Sequence, residues 1–323
     1  MRRNRGTIAL CAAAIVALSA CATRPSELAA PANAHLPERV ELTHVPFFPQ
    51  EDYQCGPAAL ATVLHSAGVE AVPEQLTKEV FLPARQGSLA VELIAATRSR
   101  GLVPYVVEPN LSGILEQLAA GRPVLVLQNV ALKIKPVWHF AVVIGYDRTR
   151  REIILRSGTT ERLVMSERGF LRTWDLAERW ALLALPPEEL PANPDLTHYM
   201  TAVAGLEAVG RLSAAERAYR RALEHWPDSV WPRLGLANIA FRRSELTSAL
   251  DGYRSVLAID PQNTMAHNNL AEILLQQGCI DEARRHVEIA LARAAGTKLE
   301  SAVADTAQRI SRAPADSSTC TQR

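Results

Sequence analysis

A spacing constrains this chain more than any single residue does. Ala215, Ala249 and Ala283 stand 34 residues apart, and the same step links Leu223, Leu257 and Leu291, and also Pro227 and Pro261. Tyr219, Tyr253 and Val287 keep it, as do Gly210, Ser244 and Gly278 where one helix of each unit would turn into the next. Small residues let helices cross closely, and a Pro after the second helix cannot continue it. Such a period implies stacked two-helix units, none of which can bury its apolar face alone. The units span residues 196–297, and Lys298 to Ile310 suits a capping helix within 298–312. Residues 313–323 are polar and read as a disordered tail.

A chain of 323 residues has room for a second domain ahead of the stack. The run Pro186-Pro187-Glu188-Glu189-Leu190-Pro191-Ala192-Asn193-Pro194 can continue neither strand nor helix. It places a stiff linker at 188–195 and closes a first domain at 39–187. Hydrophobic content is 48% and charged content 21%, ordinary for globular protein. A net charge of +1, with no long block of like charge, gives no reason to expect a nucleic-acid partner.

Within the first domain, the stretch Gln50-Glu51-Asp52-Tyr53-Gln54-Cys55-Gly56-Pro57-Ala58-Ala59-Leu60 turns a polar loop into an apolar helix. Cys55 at the helix start would feel the positive end of the dipole and free backbone N–H groups, which favour thiolate. A small buried Cys at the start of a core helix is the plainer reading, and a correctly placed His is needed to displace it. Ser88 is expected to cap a further helix, and Leu111 to Ala120 another. Strands are expected at Leu102–Val107, Pro123–Leu127, Val137–Tyr146, Glu152–Gly158, Thr160–Met165 and Trp180–Leu185. Helices first and an antiparallel sheet afterwards make an α+β plan. His139 interrupts an otherwise apolar strand where Val or Ile would pack better. A thiolate needs a base beside it, and a helix start facing a strand end can supply one.

Taken together, Gln50, Cys55-Gly56-Pro57-Ala58-Ala59-Leu60 and His139-Phe140-Ala141-Val142-Val143-Ile144-Gly145-Tyr146 resemble the papain-like bacteriocin-processing cysteine peptidases that cleave double-glycine leaders. The likeness extends to their stand-alone lipoprotein relatives, whose peptidase domain precedes tetratricopeptide (TPR) repeats, and the 34-residue units resemble those repeats. The resemblance implies a papain-like α+β peptidase domain followed by an all-α TPR solenoid. It also implies Cys55 as nucleophile, His139 as general base and acid, and Gln50 as an oxyanion donor, with no metal or other cofactor. This family usually orients its His with Asp or Asn on the following strand. Here Arg156-Ser157-Gly158 stands there, so Ser157 is the expected partner and Asp147 in the adjacent turn the alternative.

Residues 1–20 read as a signal peptide, with Arg2, Arg3 and Arg5 ahead of an apolar Ile8–Ala20. Leu18-Ser19-Ala20-Cys21 looks like a lipobox, which would make Cys21 the lipidated first residue and 21–38 a tether. By resemblance to Gram-negative sorting rules, Ala22 after that Cys implies the outer membrane, facing the periplasm. Of the remaining cysteines, Cys279 and Cys320 could pair and leave Cys55 free. The expected function is therefore a membrane-anchored periplasmic cysteine peptidase, acting on a peptide or protein substrate, whose TPR groove docks a protein partner. The alternative is a weak or inactive peptidase-like protein that serves as a scaffold through its repeats.

Overall fold

The computed structural model describes residues 25–49 and 54–314. Its first domain is built on an antiparallel sheet of seven strands. These are β1 (Arg39–Glu41), β2 (Val103–Val106), β3 (Val124–Asn129), β4 (Trp138–Asp147), β5 (Glu152–Ser157), β6 (Thr160–Ser166) and β7 (Ala181–Leu185). The order across the sheet is β2-β7-β3-β4-β5-β6, with β1 on β4 where β3 has ended. β3 and β4 read as apolar runs because they are central and buried on both faces. Gly145 is required where β1 crosses β4, since a Cβ there would overlap the Val40 carbonyl oxygen.

Helices α1 (Cys55–Ser66), α2 (Pro73–Val80), α3 (Ala90–Ser99), α4 (Leu111–Ala119) and α5 (Glu167–Asp175) cover the sheet. α1 lies against β4 with Gly56 to Leu64 buried along its length. One expectation needs correction here, and one helix is new. Ser88 does not cap α3: the N-cap is Leu89, without a side-chain bond. α5 was not anticipated. It starts on Ser166, whose hydroxyl accepts from Gly169 N, and it sinks Phe170 and Trp174 completely into the core.

The segment expected as a tether is part of the fold from residue 25 onward. Leu28 is fully buried, and its N–H donates to Glu167 Oε1 at 3.0 Å. Arg179 grips the Glu27 carboxylate with both terminal nitrogens, at 3.0 and 2.8 Å. Apolar burial and bidentate pairing outweigh the loop-like composition of this stretch.

Behind the sheet come α6 (Leu196–Ala208), α7 (Leu212–His225), α8 (Val230–Arg242), α9 (Leu246–Ile259), α10 (Thr264–Gln276), α11 (Ile280–Ala294) and α12 (Glu300–Arg312). Ala215, Ala249 and Ala283 are each fully buried at the helix crossings. Leu291 departs from its repeat equivalents and is exposed. The turn positions Gly210, Ser244 and Gly278 all take left-handed backbone, with φ of 77°, 61° and 76°. The proline-rich connector is fastened rather than free. Gln117 exchanges two 2.9 Å hydrogen bonds with Ala192, Tyr199 Oη donates to the Glu189 carbonyl, and α6 covers edge strand β2. One apolar cluster therefore runs from Leu28 through the sheet to Ile239, while two smaller clusters hold the later repeats.

Candidate active site

Cys55 is the first residue of α1, and its thiol is half-buried. Backbone N–H groups of Phe140, Gly56 and Cys55 itself lie near enough to the sulfur to favour thiolate. Because Phe140 follows His139, the sulfur lies against the strand that carries the imidazole. Burial nevertheless outweighs those amides and pushes the thiol above its ordinary range. His139 is the second residue of β4, and burial pushes its imidazole below its ordinary value. The amides at the helix start favour thiolate as expected, but burial is the larger effect on this thiol. Desolvation penalises both charged forms, so thiol and imidazole rest neutral and the proton moves when charge is needed.

His139 Nε2 lies 2.9 Å from Ser157 Oγ. Ser157 ends β5, where a register shift after Leu155 and the left-handed Gly158 (φ 59°) turn the chain toward β6. With Nε2 engaged there, Nδ1 is the nitrogen left for the thiol proton. A carboxylate in place of Ser157 would accept only, and so would fix the proton on Nε2. A hydroxyl both donates and accepts, so Ser157 orients the ring without selecting its tautomer. Asp147 is excluded from this role. It closes β4 at the far end from His139 and accepts from Arg150 N at 2.8 Å in the turn. Gln50, Cys21 and Cys320 lie outside the described residues. Cys279 is disulfide-bonded, and Cys55 is the free cysteine among the described residues.

Two residues that hold the site, Arg156 and Ser88, do so in ways the sequence reading did not assign to them. Arg156 is buried and donates to the carbonyls of Val45 (2.8 Å from Nη2) and Glu161. It thereby ties β5, beside Ser157, to the chain that leads toward Gln50. Arg-Ser-Gly in a strand otherwise apolar was the available hint. Ser88 presses on Gly56, where any Cβ would overlap its own Cβ and Oγ, and that Oγ is buried without a partner. Gly56 is therefore the residue that lets the Cys55 turn sit this deep.

A second candidate site lies on the inner face of the repeats. Phe241, Met265 and Val303 form its apolar lining beside Arg242, Asn268 and Asn269, around a cavity of about 270 Å³. Tyr253 Oη donates to Asn238 Oδ1 at 2.8 Å and accepts from Asn269 at 3.1 Å, which fixes the two helices that supply this wall. Asn268 Oδ1 is buried and unpartnered.

A model of the Peptidase_C39 like family matches residues 42–176. Two tetratricopeptide-repeat models match residues 205–264 and 240–305. No curated protein matches the chain. Among solved structures, a protein from Bacillus anthracis described as a C39-like peptidase shares 18% identity over 45% of this chain and 96% of its own, with TM-score 0.38. The peptidase domain of Streptococcus ComA, a bi-functional ABC transporter involved in quorum sensing, shares 21% identity over 44% of this chain and 99% of its own, at TM-score 0.36. The Yersinia enterocolitica type III secretion translocator chaperone SycD shares 18% over 36% of this chain and 83% of its own, at TM-score 0.33. By its family matches, this chain joins a C39-like peptidase domain in its N-terminal part to tetratricopeptide repeats in its C-terminal part.

Proposed function

We propose that the chain is a cell-envelope cysteine peptidase whose Cys55 and His139 cleave peptide or amide bonds, with the repeats docking a protein partner. The observation that carries this reading is the contact of His139 Nε2 with Ser157, which keeps Nδ1 available for the thiol that lies by the next residue's amide. On this reading Nδ1 takes the Cys55 proton as sulfur attacks the carbonyl carbon. The oxygen gains the electron pair of the C=O π bond and is held by the Cys55 N–H and the Gln50 amide. His139 returns the proton to the leaving nitrogen as the C–N bond breaks. Water then attacks the thioester, its proton passing through His139 to sulfur, and the carboxylic acid leaves. Cys21 would carry the lipid, which would hold the domain at the periplasmic face of the outer membrane. The apolar wall and the unpartnered Asn268 on the inner face of the repeats suit an extended peptide segment that offers a backbone N–H.

The alternative, a weak or inactive scaffold, draws on Ser157, which cannot fix the imidazole tautomer. Alkylation by iodoacetamide separates the two, since it needs no knowledge of the substrate. Cys55 in the chain from Ala22 onward should react at neutral pH at least about tenfold faster than in the His139→Ala variant. Equal rates would leave Cys55 an ordinary buried thiol.

A further inference from the structure

The loop between β3 and β4 gathers apolar side chains where solvent should reach them. Of the fourteen large apolar residues exposed among the described residues, Val130, Leu132, Ile134 and Val137 lie in this loop and a fifth, Trp138, opens β4 beside it. Ile134, at the tip, is 91% exposed and Leu132 65%. The backbone is tied into a hairpin. Val130 N donates to the Val137 carbonyl at 2.9 Å, and Lys135 N to the Leu132 carbonyl at 3.1 Å. Asn129, itself buried, accepts from both Ala131 N and Val137 N at 3.1 Å. These bonds hold the apolar side chains outward in a fixed array. Lys133 and Lys135 flank Ile134, and neither forms an ion pair with a described residue.

We propose that this hairpin docks on an anionic lipid surface. Its tip is convex. A peptide ligand needs a concave site that contacts it on several sides, whereas a bilayer interface yields around a protruding tip. The chemistry matches each layer of that interface. Ile134 and Leu132 enter the acyl boundary, Lys133 and Lys135 reach the phosphates, and Trp138 settles at headgroup depth. Since Trp138 is followed by His139, docking sets the dyad at the lipid–water boundary, where membrane-attached polypeptides lie. The inference rests on the hairpin alone, and neither lipidation of Cys21 nor turnover at Cys55 is needed for it.

The test is vesicle flotation with the chain beginning at Ala22, which keeps every described residue and lacks Cys21. The vesicles are phosphatidylcholine alone, or equal parts phosphatidylcholine and phosphatidylglycerol. The chain should float with the phosphatidylglycerol vesicles and much less with phosphatidylcholine. Joint Lys133→Gln and Lys135→Gln substitution should weaken that binding about 30-fold, and Ile134→Ser about tenfold or more. Both changes are at exposed positions, so unchanged circular dichroism is expected. Absent binding to the anionic vesicles, or binding that both variants leave intact, overturns the proposal. Slower peptide turnover in the variants without any vesicle binding also overturns it, and makes the hairpin a substrate wall instead.

Discussion

Replacing Ser157 by Asp should strengthen the pair that Ser157 now only orients. The hydroxyl lies 2.9 Å from Nε2 and Ser157 is 9% exposed, so a carboxylate there would face the ring with little water between them. A neutral hydrogen bond nets about 1 kcal/mol and one to a charged partner about 1.5–3 kcal/mol. The gain falls on the imidazolium alone, and burial of the new carboxylate takes back part of it. What remains is on the order of 1.4 kcal/mol, or about one pKa unit. Ser157→Asp should therefore raise the His139 pKa by roughly one unit. It should also lower the apparent Cys55 pKa by a similar amount and speed alkylation at neutral pH about tenfold. Ser157→Ala removes the neutral bond and should slow alkylation about fivefold. Rates of iodoacetamide labelling across pH read both, with urea unfolding as a control for fold. If neither substitution moves the profile by more than about twofold, Ser157 does not act on the ring and the argument fails.

Further outcomes follow from the same geometry. Burial lowers the His139 pKa, and His286, beside His267 in the repeats, shifts the same way through burial and its neighbour's charge. The unfolded chain thus takes up protons first, so stability should be complete above about pH 6.5 and fall as pH drops below it. Urea midpoints in wild type should decline on acidification, and less steeply in His139→Ala. On the proposed mechanism, a neutral base and a protonated thiol are the working forms. The acid limb of kcat/KM should lie below pH about 6.5 and the alkaline limb above about 8.5, read on any cleaved peptide. Leu28→Ala should cost about 2–4 kcal/mol in urea unfolding, since the residue is fully buried; no change would return residues 25–38 to a free tether. Ser244 holds left-handed backbone that its repeat equivalents give to Gly, so Ser244→Gly should stabilise by up to about 1 kcal/mol. Calorimetry should then show melting raised by about 2–4 °C.

What the sequence displayed well was anything written in local periodicity. The 34-residue step, the apolar strands around His139 and the helix that starts at Cys55 all follow from side chains near one another along the chain. What it concealed were contacts made across long separations. Leu28 N–H meets Glu167 from 139 residues away, so a Pro- and Ala-rich leader looked like a tether. Arg156 reaches Val45 from 111 residues away and gave no sign of supporting the segment before Cys55. α5 has nine residues and is charged on its outer face, so its Phe170 and Trp174 did not mark a helix between two strands. Ser88 carried a capping residue's identity, yet its hydroxyl was used against Gly56. Position along the chain made Asp147 plausible as an orienting group, and the length of β4 removed it.

The apolar cluster that crosses the proline-rich connector means that this chain does not come apart where its sequence families meet. Leu185 on one side and Tyr199, Val203, Ala215 and Ile239 on the other belong to a single contiguous interior. The peptidase domain and the first helical repeat should melt as one cooperative body, and a cut at the connector would bare both halves. The true seam lies further on, inside α8, whose Ile239 belongs to that interior while Leu234, Ala237 and Ala240 face the next one. Amide exchange should show it as a step in protection partway along the solenoid, with fraying that starts at the C-terminal repeats and stops before it reaches the thiol. A partner that grips the later repeats would thus hold the part of the molecule able to breathe without disturbing the chemistry.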